Sequence, residues 1–343
     1  MKRWICYLVL FGTLALALQP VFFAIDRIMV FNTVPRDDYA PFLLWVIGAP
    51  GGAFPGSPYG YRVLTILAAV PLYYILPALH FTNLPPTLTP QYVQATAAIA
   101  ALSYLSILAA GLMIYRVARD RTGLPRREAT IAGALLGVLV LYSEFFGIDT
   151  FAIFLVTAGI YLLPSPLGFS MLIVPAVFAN EKVAIVFALW LTVRCACSAK
   201  DRREYRRQWL AAIAASVVYG LALLIMHLHG NEYQLKPTGY LTTLISNLHA
   251  SISGRGLLLN AWPVALLFVV GAFGWRYGGR ALADGLFRPI DLLVIPGLVV
   301  VALVLTQLFQ TGRIVAHSAP LFVVPAAVSI GRWMDASSSV KQL

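Results

Sequence analysis

The sequence predicts an all-α fold, a polytopic transmembrane helical bundle of about ten spans, and three observations predict it. Of 343 residues, 60% are hydrophobic and only 11% are charged, whereas an average soluble domain is about 25% charged. Mean hydropathy is +0.81. Apolar stretches recur from near the first residue to near the last, and a bilayer core about 30 Å thick needs about 20 such residues per helix.

The elements follow in chain order. Residues 4–26 form the first apolar stretch. Lys2 and Arg3 precede it as in a signal peptide, but no small-residue cleavage pattern stands before Asp26, so it reads as a retained helix. Further spans are expected over 91–115, 128–145, 149–163, 167–179, 183–198, 208–227, 260–275, 291–309 and 315–331. Segment 63–80, VLTILAAVPLYYILPALH, is apolar enough to be an eleventh. If it crossed, however, the next helix would deliver the arginines of 116–127 to the opposite side, so it reads as a re-entrant or interfacial segment broken by Pro71 and Pro77. Backbone freed by those prolines needs protein or a polar cavity around it. The whole chain, 1–343, then forms one membrane domain with two long outer loops, 27–90 and 228–259.

Lys and Arg check this arrangement, because they favour cytoplasmic loops. Eighteen of the 25 fall on the inner side, and seven fall outside: Arg27, Arg36, Arg62, Lys182, Lys236, Arg255 and Arg313. The net charge of +11 therefore reads as topology signals and contacts with anionic membrane lipids, and not as a nucleic-acid surface. Cys6, Cys195 and Cys197 form no disulfide framework and no spaced metal site. All five histidines, His80, His227, His229, His249 and His317, fall on the outer face.

The outer face also carries the residues with chemistry to offer. In Arg36–Trp45, RDDYAPFLLW, the adjacent Asp37 and Asp38 precede an apolar run. Either caps a short surface helix, or one acts as general base on an acceptor hydroxyl or amine. Arg62, Lys182 and Arg313 are cations bordered by apolar sequence, where an unpaired charge is costly and often functional. Asn180-Glu181-Lys182 lies between two short apolar helices. There Glu181 either satisfies Lys182 or orients it toward a phosphate. Arg313 and His317 stand four apart at the start of the last helix, hence on one helical face. Glu144 and Asp149 flank the turn EFFGID and either cap the following helix or hold a divalent ion. No other pattern calls for a metal or cofactor; His227-x-His229 has the wrong spacing for one helical face. P-loop, His-Glu-x-x-His and Gly-x-Ser-x-Gly patterns are absent, which removes support for nucleotide hydrolysis, zinc proteolysis and serine-hydrolase chemistry.

A first helix, an outer loop opening on an Asp-Asp pair followed by Tyr39, and a surface helix resemble the GT-C membrane glycosyltransferases. The run Ser57–Pro71, SPYGYRVLTILAAVP, with Tyr59, Tyr61 and Arg62, resembles a Pro-Tyr-x-Tyr-Arg-x-Leu-Thr-Pro-Leu segment of uncharacterised bacterial members, with Ile66 standing where that segment has Pro. The resemblance covers about residues 30–70 and is architectural beyond them. It implies transfer of a sugar from a polyprenyl-phosphate donor to a lipid, glycan or protein acceptor at the periplasmic face of a bacterial inner membrane. In that reading Asp38 or Asp37 is the catalytic base, and Arg62, Lys182, Arg313 and His317 hold the donor phosphate. Tyr39, Tyr59, Tyr61, Glu181 and Asn180 support them. A lipid-linked saccharide transporter or flippase, an O-antigen-polymerase-like enzyme and a non-catalytic assembly partner are the rival readings. A transporter would place ionisable residues at mid-helix depth, and the centres of these helices are almost uncharged.

Overall fold

The computed structural model describes residues 39–54, 62–76, 89–142, 148–228, six positions within 242–249, 262–282, 286–305 and 311–340. All regular structure among them is helical. The expected first helix, 4–26, lies outside the described residues.

Helix α1, Tyr39–Val46, and α2, Val63–Ile75, pack on each other and on the long α3, Pro90–Arg116. Phe42, Leu43, Leu44, Ile66, Ile99 and neighbours form a small apolar core there. Glycines shape the turn after α1. Gly48 and Gly51 have φ of 69° and 81°, a region costly for residues with a Cβ. Gly52 packs directly against the backbone of Trp45. Helix α2 runs through Pro71 and stops at Leu76, before Pro77. Its thirteen residues extend about 20 Å, short of the roughly 30 Å of a bilayer core.

Thr89 accepts a hydrogen bond from Tyr92 N and caps α3, with Pro90 in the first turn. A π-turn, Val117–Arg121, continues α3. Together they make a 32-residue run, Pro90–Arg121, that contains an 18-residue window of mean hydropathy 2.1 and is long and apolar enough to cross a membrane. Helices α4, Arg126–Tyr142, and α5, Ile148–Leu162, pack on α3. Gly111 and Gly133 let α3 and α4 touch backbone to backbone.

Helices α6, Pro166–Ala176, and α7, Lys182–Cys197, follow, and α7 packs on α8, Ala199–Leu228. Gly159 of α5 leaves room for the ring of Phe187, which meets Phe169 edge-on at 5.0 Å between centroids. These rings anchor α7 in the main core. Helix α9, Trp262–Leu282, packs on α12, Val323–Val340. Between them lie a 3₁₀ turn, Pro289–Leu293, then α10, Val294–Leu305, and the short α11, Thr311–Ala316.

Two expected elements differ. The span read as 208–227 begins at Ala199, because the charged run 199–207 is itself helical and seals Asp201 in the protein interior. The last span, read as 315–331, is broken. After α11, His317 N and Ser318 N bond to carbonyls three residues back, and a 3₁₀ turn, Ala319–Leu321, intervenes before α12. Pro320 supplies the reason: it has no N–H, and its ring crowds the carbonyl one turn back.

Candidate functional site

Six sequence-selected residues, Tyr39, Arg62, Asn180, Glu181, Lys182 and His317, meet at one end of the helix array around Asp149, itself singled out from the sequence. Arg62 occupies the cap position of α2. That end of α2 is tied to the turn after α6 by Leu64 N to Phe178 O at 3.0 Å and Thr65 Oγ1 to Ala179 O at 3.1 Å. The same turn delivers Asn180 and Glu181 to the start of α7. Arg62 therefore has a fixed position relative to Glu181, although 119 residues separate them.

The guanidinium donates from Nε and Nη2 to the two oxygens of Glu181 at 3.2 and 2.8 Å, and from Nη1 to the Tyr39 hydroxyl at 2.9 Å. This two-pronged geometry is the strong form of an arginine–carboxylate contact. Both side chains are largely buried. Burial opposes the charge on Arg62, yet Glu181, Tyr39 and Asp149 outweigh it and hold its pKa well above the ordinary arginine value. Burial alone would raise the Glu181 pKa, but Arg62 and Lys182 bring it below its ordinary 4.5.

Asp149, in the first turn of α5, is fully buried. Its Oδ1 accepts from Lys182 Nζ at 3.1 Å and from Asn180 Nδ2 at 3.0 Å, and His317 Nε2 lies 3.2 Å away. Asn180 Oδ1 also accepts the N–H of Lys182 at 3.1 Å, so one side chain caps α7 and aligns Asp149. The sequence expectation that Glu181 and Lys182 would satisfy one another is corrected here. They take separate partners, Arg62 and Asp149, because consecutive residues entering a helix point in different directions.

Asp149 stands in the first turn of α5, where the capping alternative placed it, whereas the place a divalent ion would take is filled. The ammonium of Lys182 occupies the position beside Oδ1 where a cation would sit, and among the described residues no group of three or more His, Cys, Asp or Glu could hold a metal ion. Glu144 lies outside the described residues. The expectation of one continuous helix through Arg313 and His317 is also corrected, since the helix ends at Ala316 and His317 reaches Asp149 from the turn that Pro320 imposes. Asp37, Asp38, Tyr59 and Tyr61 lie outside the described residues, as does the side chain of Arg313.

The site thus sets Arg62, Lys182 and His317 against Asp149 and Glu181 at the N-terminal ends of α2, α5 and α7. Each helix start contributes a partial positive charge of about half a unit. The two buried acids balance and orient the two cations, and the helix starts add positive potential around them.

A second buried cluster escaped the sequence reading. Twelve residues along α7 from Lys182, Arg194 donates to both oxygens of Asp291 at 2.6 and 2.7 Å, and Trp190 Nε1 joins them at 2.8 Å. Arg288 Nη1 reaches Asp201 at 2.8 Å, and Arg194 Nη1 lies 3.6 Å from it. The available signal was a lone arginine in the last turn of an apolar helix and a lone acid opening DLLVIPGLVV, both of which need partners. The chain matches no family model, no curated protein and no solved structure.

Proposed function

We propose that this chain is a polytopic membrane glycosyltransferase of GT-C-like architecture, with about ten spans, acting at the periplasmic face of a bacterial inner membrane. It moves a sugar from a polyprenyl-phosphate donor to a lipid, glycan or protein acceptor. The observation that carries the reading is the convergence of Arg62, Lys182 and His317 at one end of the helices, with Tyr39 bonded to Arg62. Tyr39 follows Asp38 in the chain, so the helix that opens after the acid pair is tied to the cation assigned to phosphate.

In this mechanism Asp38 or Asp37 takes the acceptor proton, and the acceptor oxygen or nitrogen attacks the anomeric carbon with inversion. The sugar–phosphate bond breaks, and its electron pair leaves with the phosphate. Arg62 and Lys182 stabilise that charge, and Glu181, Asn180 and Asp149 hold the cations in place. Preorganised cations of this kind act where charge develops. Asp37→Asn and Asp38→Asn, made separately, test the reading in a sugar-transfer assay with purified protein. Loss of the general base lowers turnover by roughly 10²–10⁴-fold with thermal stability unchanged, since Asn caps a helix about as well as Asp. Near-normal transfer in both variants refutes the mechanism.

A further inference from the structure

We propose that the exposed face of α8 is a binding surface for anionic phospholipid, with a headgroup seat at its N-terminal end and an apolar track for the acyl chains below. The proposal rests on reading the chain as embedded in a bilayer.

Helix α8 packs on α6 and α7 through a buried face that includes Asp201, Gln208, Ala212 and Ala215. The opposite face divides sharply by chemistry. Lys200, Arg202, Arg203, Arg206 and Arg207 are all exposed over its first two turns. Beneath Arg206, at successive steps of four, seven, eleven and fifteen residues, lie Leu210, Ile213, Val217 and Leu221, each 38–54% exposed. Those steps keep one helical face, so the positive cluster heads the apolar track. Ala199, Lys200, Arg203 and Glu204 line a shallow depression at the helix start. Glu204 is the one acid on that exposed face; Asp201 points inward to Arg288 and Arg194.

The chemistry selects the occupant. A second copy in the same membrane orientation would bring like charges together, and a neutral lipid leaves five cations with Glu204 alone as a counter-charge on that face. A phospholipid with a net negative headgroup satisfies both halves. Basic residues at such a surface contribute about fivefold in affinity each, and arginine forks suit phosphate oxygens.

Full-length protein in phosphatidylcholine micelles, titrated with phosphatidylglycerol while the thermal midpoint is followed, provides the test. Phosphatidylglycerol raises the midpoint of wild type, and R203Q/R206Q/R207Q needs on the order of 100-fold more of it. Its midpoint in phosphatidylcholine alone stays at the wild-type value. Should the triple variant fail to fold, R203Q and K200Q singly each weaken the response about fivefold. A response retained in these variants overturns the proposal. So does an equal shift produced by inorganic phosphate, which would make the cluster a plain anion site, or a dimer that depends on the same arginines. Release of the protein from membranes by alkaline carbonate without detergent would sink the embedded reading itself. Retention there with no phosphatidylglycerol preference sinks this proposal alone.

Discussion

At the scale of single residues, Arg62 and Glu181 make the sharpest forecasts, because each is buried against the other. Arg62→Lys keeps the charge but replaces a planar fork by a point, losing part of the contacts to Glu181 and Tyr39. We expect a stability loss of about 1–3 kcal/mol, read from thermal unfolding, and weaker use of a polyprenyl-phosphate donor. Wild-type donor affinity in this variant would refute the phosphate role. The Glu181 carboxyl has a lower pKa in the folded chain than its ordinary 4.5, so the unfolded chain binds its proton more readily. The pair's contribution is therefore complete above pH 4.5 and is lost as pH falls through the depressed folded value. The midpoint difference between wild type and Glu181→Gln should be constant near neutrality and shrink on acidification below 4.5; a difference that grows there would contradict the pairing.

At the scale of elements, close backbone approaches decide which substitutions the helices accept. A Cβ on Gly274 of α9 would lie 2.6 Å from Ala326 N and 2.8 Å from Pro325 C of α12, with backbone unable to yield. Gly274→Ala should cost about 1–3 kcal/mol by forcing α9 off α12. Gly220 of α8 has nothing within 4 Å, so Gly220→Ala should stabilise by about 0.5–1 kcal/mol through helix propensity. Matched unfolding curves of the two variants check both signs. Element boundaries were legible where apolar runs meet strong caps. The expected 91–115 and 167–179 start within a residue of Pro90–Arg116 and Pro166–Ala176, at Thr89 and Ser165. They were illegible where polarity misleads, as in 199–207, whose charges favour helix while hydropathy reads loop. Pro320 was visible in the sequence, but its effect on His317 depends on the bonds three residues apart that form around it.

At the scale of the whole molecule, orientation is the first quantity to measure. In the proposed topology 116–127 is cytoplasmic, so Gly123→Cys should resist an impermeant thiol reagent applied from the periplasm in a background lacking other cysteines. Labelling there overturns the topology. The site itself was half legible. Arg62, Lys182 and His317 drew attention as polar groups bordering apolar sequence. Glu181 and Asp149 drew attention as well, but not the pairing, because Asp149 meets Lys182 across 33 residues and Glu181 meets Arg62 across 119, and pairing over such separations is a property of the packed helices.

Helix α7 carries a buried ionic knot near each end, Lys182 with Asp149 and Arg194 with Asp291, about 18 Å apart along its axis. Two such knots on one rigid rod act as a vernier, fixing both the height and the rotation of the helix. Adding or deleting one residue between Val183 and Val193 would turn one knot by about 100° relative to the other, so both could not close together. The apolar letters between them are free to drift among shapes of similar volume, while their number is not. In this stretch the length of the text carries more information than its spelling.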